Sequence, residues 1–168
     1  TVFGFTPVFA QSLGASKFDM GLLTFFSTFP TAIAAWIGGG MLTQRFGEKK
    51  VLLIGLILIS IFTILIPFIK SVLILIMTQA LAGLGRGLVT PILMSLSIKH
   101  IDVARRSTAM GIYQSFYGLG MFNGPLFMGI VGDLLTLKQG FIILGLLGGI
   151  LVLLTQYLLR FKQEQISH

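Results

Sequence analysis

Apolar residues dominate the chain in long runs that short polar gaps interrupt. A membrane-spanning helix needs roughly 20 apolar residues to cross a hydrocarbon core about 30 Å thick. Five runs reach that length, at residues 20–43, 51–69, 72–98, 107–132 and 139–160. The opening run at residues 1–13 has the same character but is too short to cross alone. The pattern predicts an all-α membrane protein with six helices, the first of them truncated.

Composition supports a membrane protein. Hydrophobic residues make up 55% of the chain and charged residues 10%, whereas soluble domains carry about 25% charged residues. The net charge of +7 could indicate nucleic-acid binding, but these cations lie in short gaps between apolar runs and build no polar surface. We therefore expect a lipid bilayer as partner and no nucleic acid. The chain has no Cys, and His100 and His168 are far apart in sequence, so neither a metal nor a cofactor is predicted.

The positions of the cations predict the orientation in the membrane. Short cytoplasmic loops carry an excess of Lys and Arg. Alternate gaps place eight cations on one side, namely Arg45, Lys49, Lys50, Lys99, Arg105, Arg106, Arg160 and Lys162. The other side receives only Lys17, Lys70 and Lys138. The loops at 44–50 and 99–106 and the tail at 161–168 are thus expected to be cytoplasmic, in a multi-pass protein of the plasma (inner) membrane.

Small residues recur within the apolar runs. Helices in lipid associate through close backbone packing, and small residues permit that approach. The positions are Ala34, Ala35, Gly38, Gly39 and Gly40, then Gly83 with Gly87, then Gly120 with Gly124. Their recurrence predicts a tightly packed helix bundle.

The run GMLTQRFGEKK at residues 40–50 resembles a known loop signature. It is similar to the G-x-L-x-D-R-x-G-R-K pattern between the second and third helices of each six-helix half in the major facilitator superfamily. The basic and glycine positions that carry the likeness are Gly40, Arg45, Gly47, Lys49 and Lys50. Gln44 replaces the usual Asp and Glu48 the usual Arg, so Gln44 cannot supply the carboxylate that the family uses in conformational locking.

Two further segments resemble the same family in the right order. The run QALAGLG at 79–85 is similar to the fourth-helix pattern R-x-x-x-G-x-G, with Gln79 in the Arg position. The run GMFNGP at 120–125 is similar to the fifth-helix pattern G-x-x-x-G-P. Together the motifs span essentially the whole chain. The resemblance implies one six-helix half of a twelve-helix transporter, with the missing half as its partner.

The departures from the motifs favour the C-terminal half. In this family the loop and fourth-helix motifs are better kept in the N-terminal half, and this chain has lost both the Asp and the Arg. After the last apolar run comes only RFKQEQISH, where an N-terminal half would continue into a long central loop. The N-terminal half remains the alternative.

Polar residues within the apolar runs are the candidates for a solute pathway. Arg86 lies near the centre of its run, where an Arg costs about 2.5 to 3.5 kcal/mol on translocon scales. It would either attract an anionic solute group or brace the bundle. The further candidates are Gln79, Tyr113, Gln114, Tyr117 and Asn123, each with a packing role as the alternative. Gln114, Tyr117 and Met121 share one helical face with Tyr113 beside it. Gly120, Gly124 and Pro125 are expected to serve helix packing and a kink.

The motifs that the sequence contains and lacks limit the possible functions of the protein. The sequence lacks a phosphate-binding loop, a His-Glu-x-x-His motif and a Gly-x-Ser-x-Gly elbow, so no enzyme is predicted. The resemblance implies secondary active transport of a small solute by alternating access, with two halves rocking around a midplane site. A non-transporting membrane interaction or scaffold module is the alternative, and a channel the third class. Drug efflux is common in the family, but the sequence decides neither solute, direction nor coupling ion.

Overall fold

The computed structural model describes the backbone of residues 2–164 and the side chains of residues 4–157. Over these residues the chain is helical and contains no strand. The helices are α1 (Val2–Ser12), α2 (Lys17–Ile37), α3 (Thr43–Phe46), α4 (Glu48–Leu65), α5 (Val72–Ile98), α6 (Arg106–Leu134) and α7 (Leu137–Glu164). A π-helical segment, Gly38–Leu42, joins α2 to α3 without a break. The described chain thus forms six rods, which confirms the predicted all-α fold with a short first helix.

The observed bounds differ from the apolar runs mainly at the polar ends. The rod predicted at 20–43 runs from Lys17 to Phe46, because charged and polar residues continue a helix beyond the hydrocarbon core. The last helix extends to Glu164, so the first half of the expected tail at 161–168 is helical. The rest of that tail, 165–168, lies outside the described residues.

Four described helical stretches are long and apolar enough to cross a membrane. They are Lys17–Phe46, Glu48–Phe68, Val72–Ile98 and Leu137–Tyr157. The α6 helix has 29 residues, which at about 1.5 Å per residue is long enough to span a bilayer. It is absent from that group because Ser, Tyr, Gln and Asn interrupt its apolar sequence. The 11-residue α1 is too short to cross.

Two local features set helix boundaries. Ser16 and Asp19 form a capping box at the start of α2, in which the Asp19 carboxylate accepts from the Ser16 N–H at 2.9 Å and the Ser16 hydroxyl oxygen accepts from the Asp19 N–H at 3.2 Å. Such a cap contributes about 0.5 to 2 kcal/mol. At the other end of the rod, Gly47 has φ +82°, a conformation that favours glycine, and this residue separates α3 from α4.

The α5 helix is the centre of the bundle. It packs against α2 on one side and α4 on the other, α4 also packs against α7, and α6 contacts α5 and α7. Glycines permit this close packing. A Cβ on Gly83 would lie 2.6 Å from the Ser27 carbonyl oxygen, and a Cβ on Gly85 would lie 2.7 Å from the Gly55 carbonyl oxygen. The predicted tight packing at Gly83 and Gly87 therefore occurs along the contact between α2 and α5.

Apolar side chains gather into two buried clusters. One lies at the end of the bundle where α2, α5 and α7 begin, and its buried residues are Phe9, Ala10, Leu23, Ile66, Ile69, Leu75, Ile76, Met128 and Phe141. The other lies toward the opposite end and consists of Ala34, Val51, Leu52, Leu88, Val89 and Ile92. Between the two clusters, α5 carries its polar residues Gln79 and Arg86.

Candidate solute-binding cleft

Polar residues recur along one face of α5. Gln79, Arg86 and Thr90 are separated by seven and four residues, spacings that keep side chains on one side of an α-helix. Arg86 lies near the middle of Val72–Ile98 and is half-buried. Its carbonyl oxygen accepts a hydrogen bond from the Thr90 hydroxyl at 3.0 Å. This face therefore places a guanidinium group at the depth where charge is most costly in a membrane protein.

A cleft opens beside this face, between α5 and α6. It has a volume of about 110 Å³, and its lining residues are Thr90, Met94, Tyr113, Gln114 and Tyr117. Tyr113 and Tyr117 lie one turn apart on α6 and stack with their ring centroids 6.4 Å apart and an interplanar angle of 21°. Two phenol rings and an amide from α6 thus line the cleft together with a hydroxyl and a thioether from α5, a mixture typical of sites for small organic molecules.

The cleft brings together three of the residues that the sequence indicated. Tyr113, Gln114 and Tyr117 line it, whereas Met121, expected on the same face, is exposed and does not. Thr90 and Met94, which also line the cleft, were not predicted from the sequence. Their spacing of four and eight residues from Arg86 is the signal that identifies them, because such residues follow one another along a helix face.

Gln79 lies apart from this cleft. It lines a second, smaller pocket together with Thr6, Pro7, Leu23, Thr24 and Ser27, between α1, α2 and α5. The two pockets share no lining residue. Gln79 therefore belongs to a different site from the α5/α6 cleft, and Arg86 is a lining residue of neither pocket.

Asn123 and Gly120 of α6 have few contacts with the other described helices. The Asn123 side chain donates its hydrogen bond to the Leu119 carbonyl oxygen of its own helix, at 2.9 Å. A Cβ on Gly120 would meet no atom within 4 Å. Gly124 is half-buried and Pro125 is exposed. The described residues thus give Gly120 no packing partner, and the helix packing expected of Gly120, Gly124 and Pro125 stays a prediction.

The loop motif at residues 40–50 lies at one end of the bundle. Its polar side chains Gln44, Arg45, Lys49 and Lys50 are exposed, while Gly40 belongs to the π-helical segment and Gly47 forms the turn. Glu48, which departs from the family pattern, forms a salt bridge with Lys99, with 2.8 Å between Oε2 and Nζ. This contact places the basic loops at 44–50 and 99–106 on the same side, as the cation pattern predicted.

Comparison with known proteins gives related transporters. A "Probable sulfoacetate transporter" of Cupriavidus necator is 32% identical over 140 residues, which cover 83% of this chain and 32% of that protein. A "Probable anion transporter 3, chloroplastic" of rice (Oryza sativa subsp. japonica) is 29% identical over 153 residues, 90% of this chain and 27% of that protein. The "Multidrug resistance protein 3" of Bacillus subtilis is 24% identical over 166 residues, 96% of this chain and 32% of that protein.

The chain thus spans about a third of the length of the curated relatives that it matches. These relatives are named as proteins of membrane transport or drug resistance, and an enzymatic activity is not among those names. The sequence model of the Major Facilitator Superfamily matches residues 1–167 of the 168. On this match, on the helical fold and on the transporter relatives, the chain belongs to the major facilitator superfamily, whose members carry solutes across membranes.

Proposed function

We propose that the full-length protein is a secondary active transporter of a small organic anion, and that this chain is its C-terminal half. Arg86 carries the proposal, because it places a positive charge near the middle of α5. A guanidinium group binds carboxylates, sulfonates and phosphates through paired hydrogen bonds. A solute with such a group would be attracted to the depth at which transporters of this architecture hold their substrates.

The α5/α6 cleft would accommodate the uncharged part of the solute. Thr90, which lines the cleft, lies one helical turn after Arg86 on α5. The Tyr113 and Tyr117 rings supply flat apolar surface, and Gln114 supplies a donor and an acceptor. The described cleft is open on one side, and we propose that the other six-helix half covers it to complete the site.

The packing of α2 against α5 supports alternating access as the mechanism. Glycines bring the backbones of α2, α4 and α5 close together, because a Cβ on Gly83 would lie 2.6 Å from the Ser27 carbonyl oxygen and a Cβ on Gly85 would lie 2.7 Å from the Gly55 carbonyl oxygen. This half would therefore move as one body, which rocking around a midplane site requires. Of the five acidic residues, Asp19, Glu48, Asp102, Asp133 and Glu164, each lies in a loop or within four residues of a helix end. A carboxylate for proton coupling would therefore belong to the other half.

The names of these relatives support an anionic solute, but they also support a second candidate function. Two of the three name sulfoacetate or anions, and one names multidrug resistance. That second candidate is export of a lipophilic compound, and the aromatic lining of the cleft is the observation that favours it. We also propose the plasma (inner) membrane as the location, with the basic loops and the C-terminus in the cytoplasm.

Flux in proteoliposomes tests the proposal. The full-length protein would be reconstituted and supplied with radiolabelled small carboxylates and sulfonates, sulfoacetate among them, and in parallel with ethidium as a lipophilic cation. Gradient-driven uptake of an anion, without ethidium transport, is the expected result. Ethidium transport alone would favour efflux of lipophilic compounds. Binding of a solute without flux would favour the scaffold alternative.

A further inference from the structure

A second polar pocket lies between α1, α2 and α5, separate from the α5/α6 cleft. Its volume is about 30 Å³, and Thr6, Pro7, Leu23, Thr24, Ser27 and Gln79 line it. A cavity needs about 10 to 15 Å³ to hold a single water. The pocket therefore has room for one or two water molecules and is too small for an organic solute.

Gln79 is the unusual group in this pocket. Its side chain is 3% exposed, and its Nε2 atom is buried without a hydrogen-bond partner among the described residues. A buried amide N–H that makes no hydrogen bond is destabilising, and native structures rarely leave one in that state. The Gln79 amide therefore requires an acceptor within the pocket.

The hydroxyl groups opposite Gln79 offer the complementary chemistry. The Thr24 hydroxyl donates its hydrogen to the Met20 carbonyl oxygen at 3.0 Å, and the Ser27 hydroxyl donates to the Thr24 carbonyl oxygen at 3.0 Å. Each hydroxyl has one hydrogen and two lone pairs. With the hydrogens engaged in α2, the oxygens of Thr24 and Ser27 present acceptors to the pocket.

The Gln79 amide donor and the hydroxyl oxygens of Thr24 and Ser27 together limit which ligand fits the pocket. An anion would meet the lone pairs of the hydroxyl oxygens, and a metal cation would meet the amide hydrogens of Gln79. A neutral molecule that both accepts and donates satisfies all three groups, and water is the one that fits the volume. We infer that an ordered water bridges Gln79 Nε2 of α5 to the hydroxyl oxygens of Thr24 and Ser27 of α2.

The proposed water bridge does not depend on the transport function. It assigns Gln79 to a hydrated junction of three helices and removes it from the solute pathway. Such a water replaces direct side-chain bonds between α2 and α5, and water-mediated bonds are nearly as favourable in enthalpy as direct ones.

Thermal unfolding of the purified full-length protein tests the water bridge, because the bridge predicts the direction in which Tm changes. If water fills the pocket, Gln79→Leu removes the donor that holds it and lowers Tm, by about 1 to 2 °C for a protein of the full length. Ser27→Ala, which removes one acceptor, lowers Tm as well. The double variant should lower Tm by less than the sum of the two single decreases, because both residues bind the same water. Gln11→Leu is the matched control, since Gln11 is exposed on α1. An unchanged or raised Tm for Gln79→Leu would mean a dry pocket and overturn the inference.

A high-resolution structure of the full-length protein without added solute decides the matter even if Gln79→Leu does not fold. Density for a single atom within about 3.2 Å of Nε2 and of one hydroxyl oxygen is expected. Either a pocket without density or density for a larger molecule would overturn the assignment.

Discussion

The Thr31 hydroxyl of α2 lies 2.9 Å from the carbonyl oxygen of Gly83 in α5 and 2.7 Å from the Ser27 carbonyl oxygen of its own helix, and its single hydrogen is shared between these two acceptors. A side chain on Gly83 would prevent this approach, because its Cβ would lie 3.0 Å from the Thr31 hydroxyl oxygen and 2.6 Å from the Ser27 carbonyl oxygen. Small residues thus allow a direct polar contact between two parallel helices inside the membrane, where close packing replaces the hydrophobic effect as the source of association.

Gly83→Ala is therefore expected to destabilise the protein. The added methyl group must push α2 away from α5, and such overpacking typically costs about 1 to 3 kcal/mol. Thermal unfolding of the purified protein measures the loss. Gly21→Ala in α2 is the matched control, since a Cβ there meets no atom within 4 Å. Equal Tm values for the two variants would contradict the close approach of α2 and α5.

The salt bridge between Glu48 and Lys99 should only slightly stabilise the end of the bundle that carries the loops at 44–50 and 99–106. Both side chains are partly exposed, and exposed pairs are worth about 0.2 to 1 kcal/mol. Glu48→Lys should lower Tm by a small amount, and the exchanged pair Glu48→Lys with Lys99→Glu should recover most of it. The difference should shrink in high salt, because ions screen exposed charges. No recovery in the exchanged pair would show that the two residues do not interact.

The α5/α6 cleft predicts a selective effect on solute affinity. Tyr117→Ala removes an aromatic wall and should raise KM for the transported solute about tenfold, the size of roughly 1.4 kcal/mol of lost binding. Expression and Tm should change little, since Tyr117 is half-exposed. Phe116→Ala is the control on the same helix, because Phe116 is 70% exposed and does not line the cleft. A larger KM change for Phe116→Ala than for Tyr117→Ala would place the site elsewhere.

The orientation can be tested by labelling, because this chain contains no Cys. In an otherwise cysteine-free full-length protein, Lys50→Cys should react with a membrane-impermeant maleimide only after the cells are opened. Lys70→Cys should react in intact cells, because Lys70 follows α4 at the opposite end of the bundle. The reverse labelling pattern would invert the proposed topology.

The helices followed from the sequence because lipid imposes one simple requirement, a long apolar run with satisfied backbone hydrogen bonds. The α5 helix, Val72–Ile98, has the bounds that its apolar run predicts. Helix ends were less predictable, since Glu48 and Lys17 extend α4 and α2 into polar surroundings. The π-helical segment at Gly38–Leu42 has no clear signal beyond its three glycines.

The site was only partly predictable for a different reason. Spacing on α6 identified Tyr113, Gln114 and Tyr117 as neighbours, because residues on one helix have a known periodicity. Pairing between helices depends on packing, so the contribution of Thr90 and Met94 from α5 and the separation of Gln79 into another pocket became visible only in the fold. Gly120 was predicted to pack from its motif alone, and the described half offers it no partner.

Uptake of a radiolabelled anion by proteoliposomes containing Arg86→Gln tests the central claim most directly, with Arg86→Lys alongside and the inserted protein measured in each sample. The Gln variant should lose at least about tenfold in uptake while inserting normally, because a hydrogen bond to a charged group is worth about 1.5 to 3 kcal/mol. The Lys variant should keep part of the activity, since it keeps the charge without the planar fork. Wild-type uptake by inserted Arg86→Gln would contradict the role of Arg86 in binding an anionic solute.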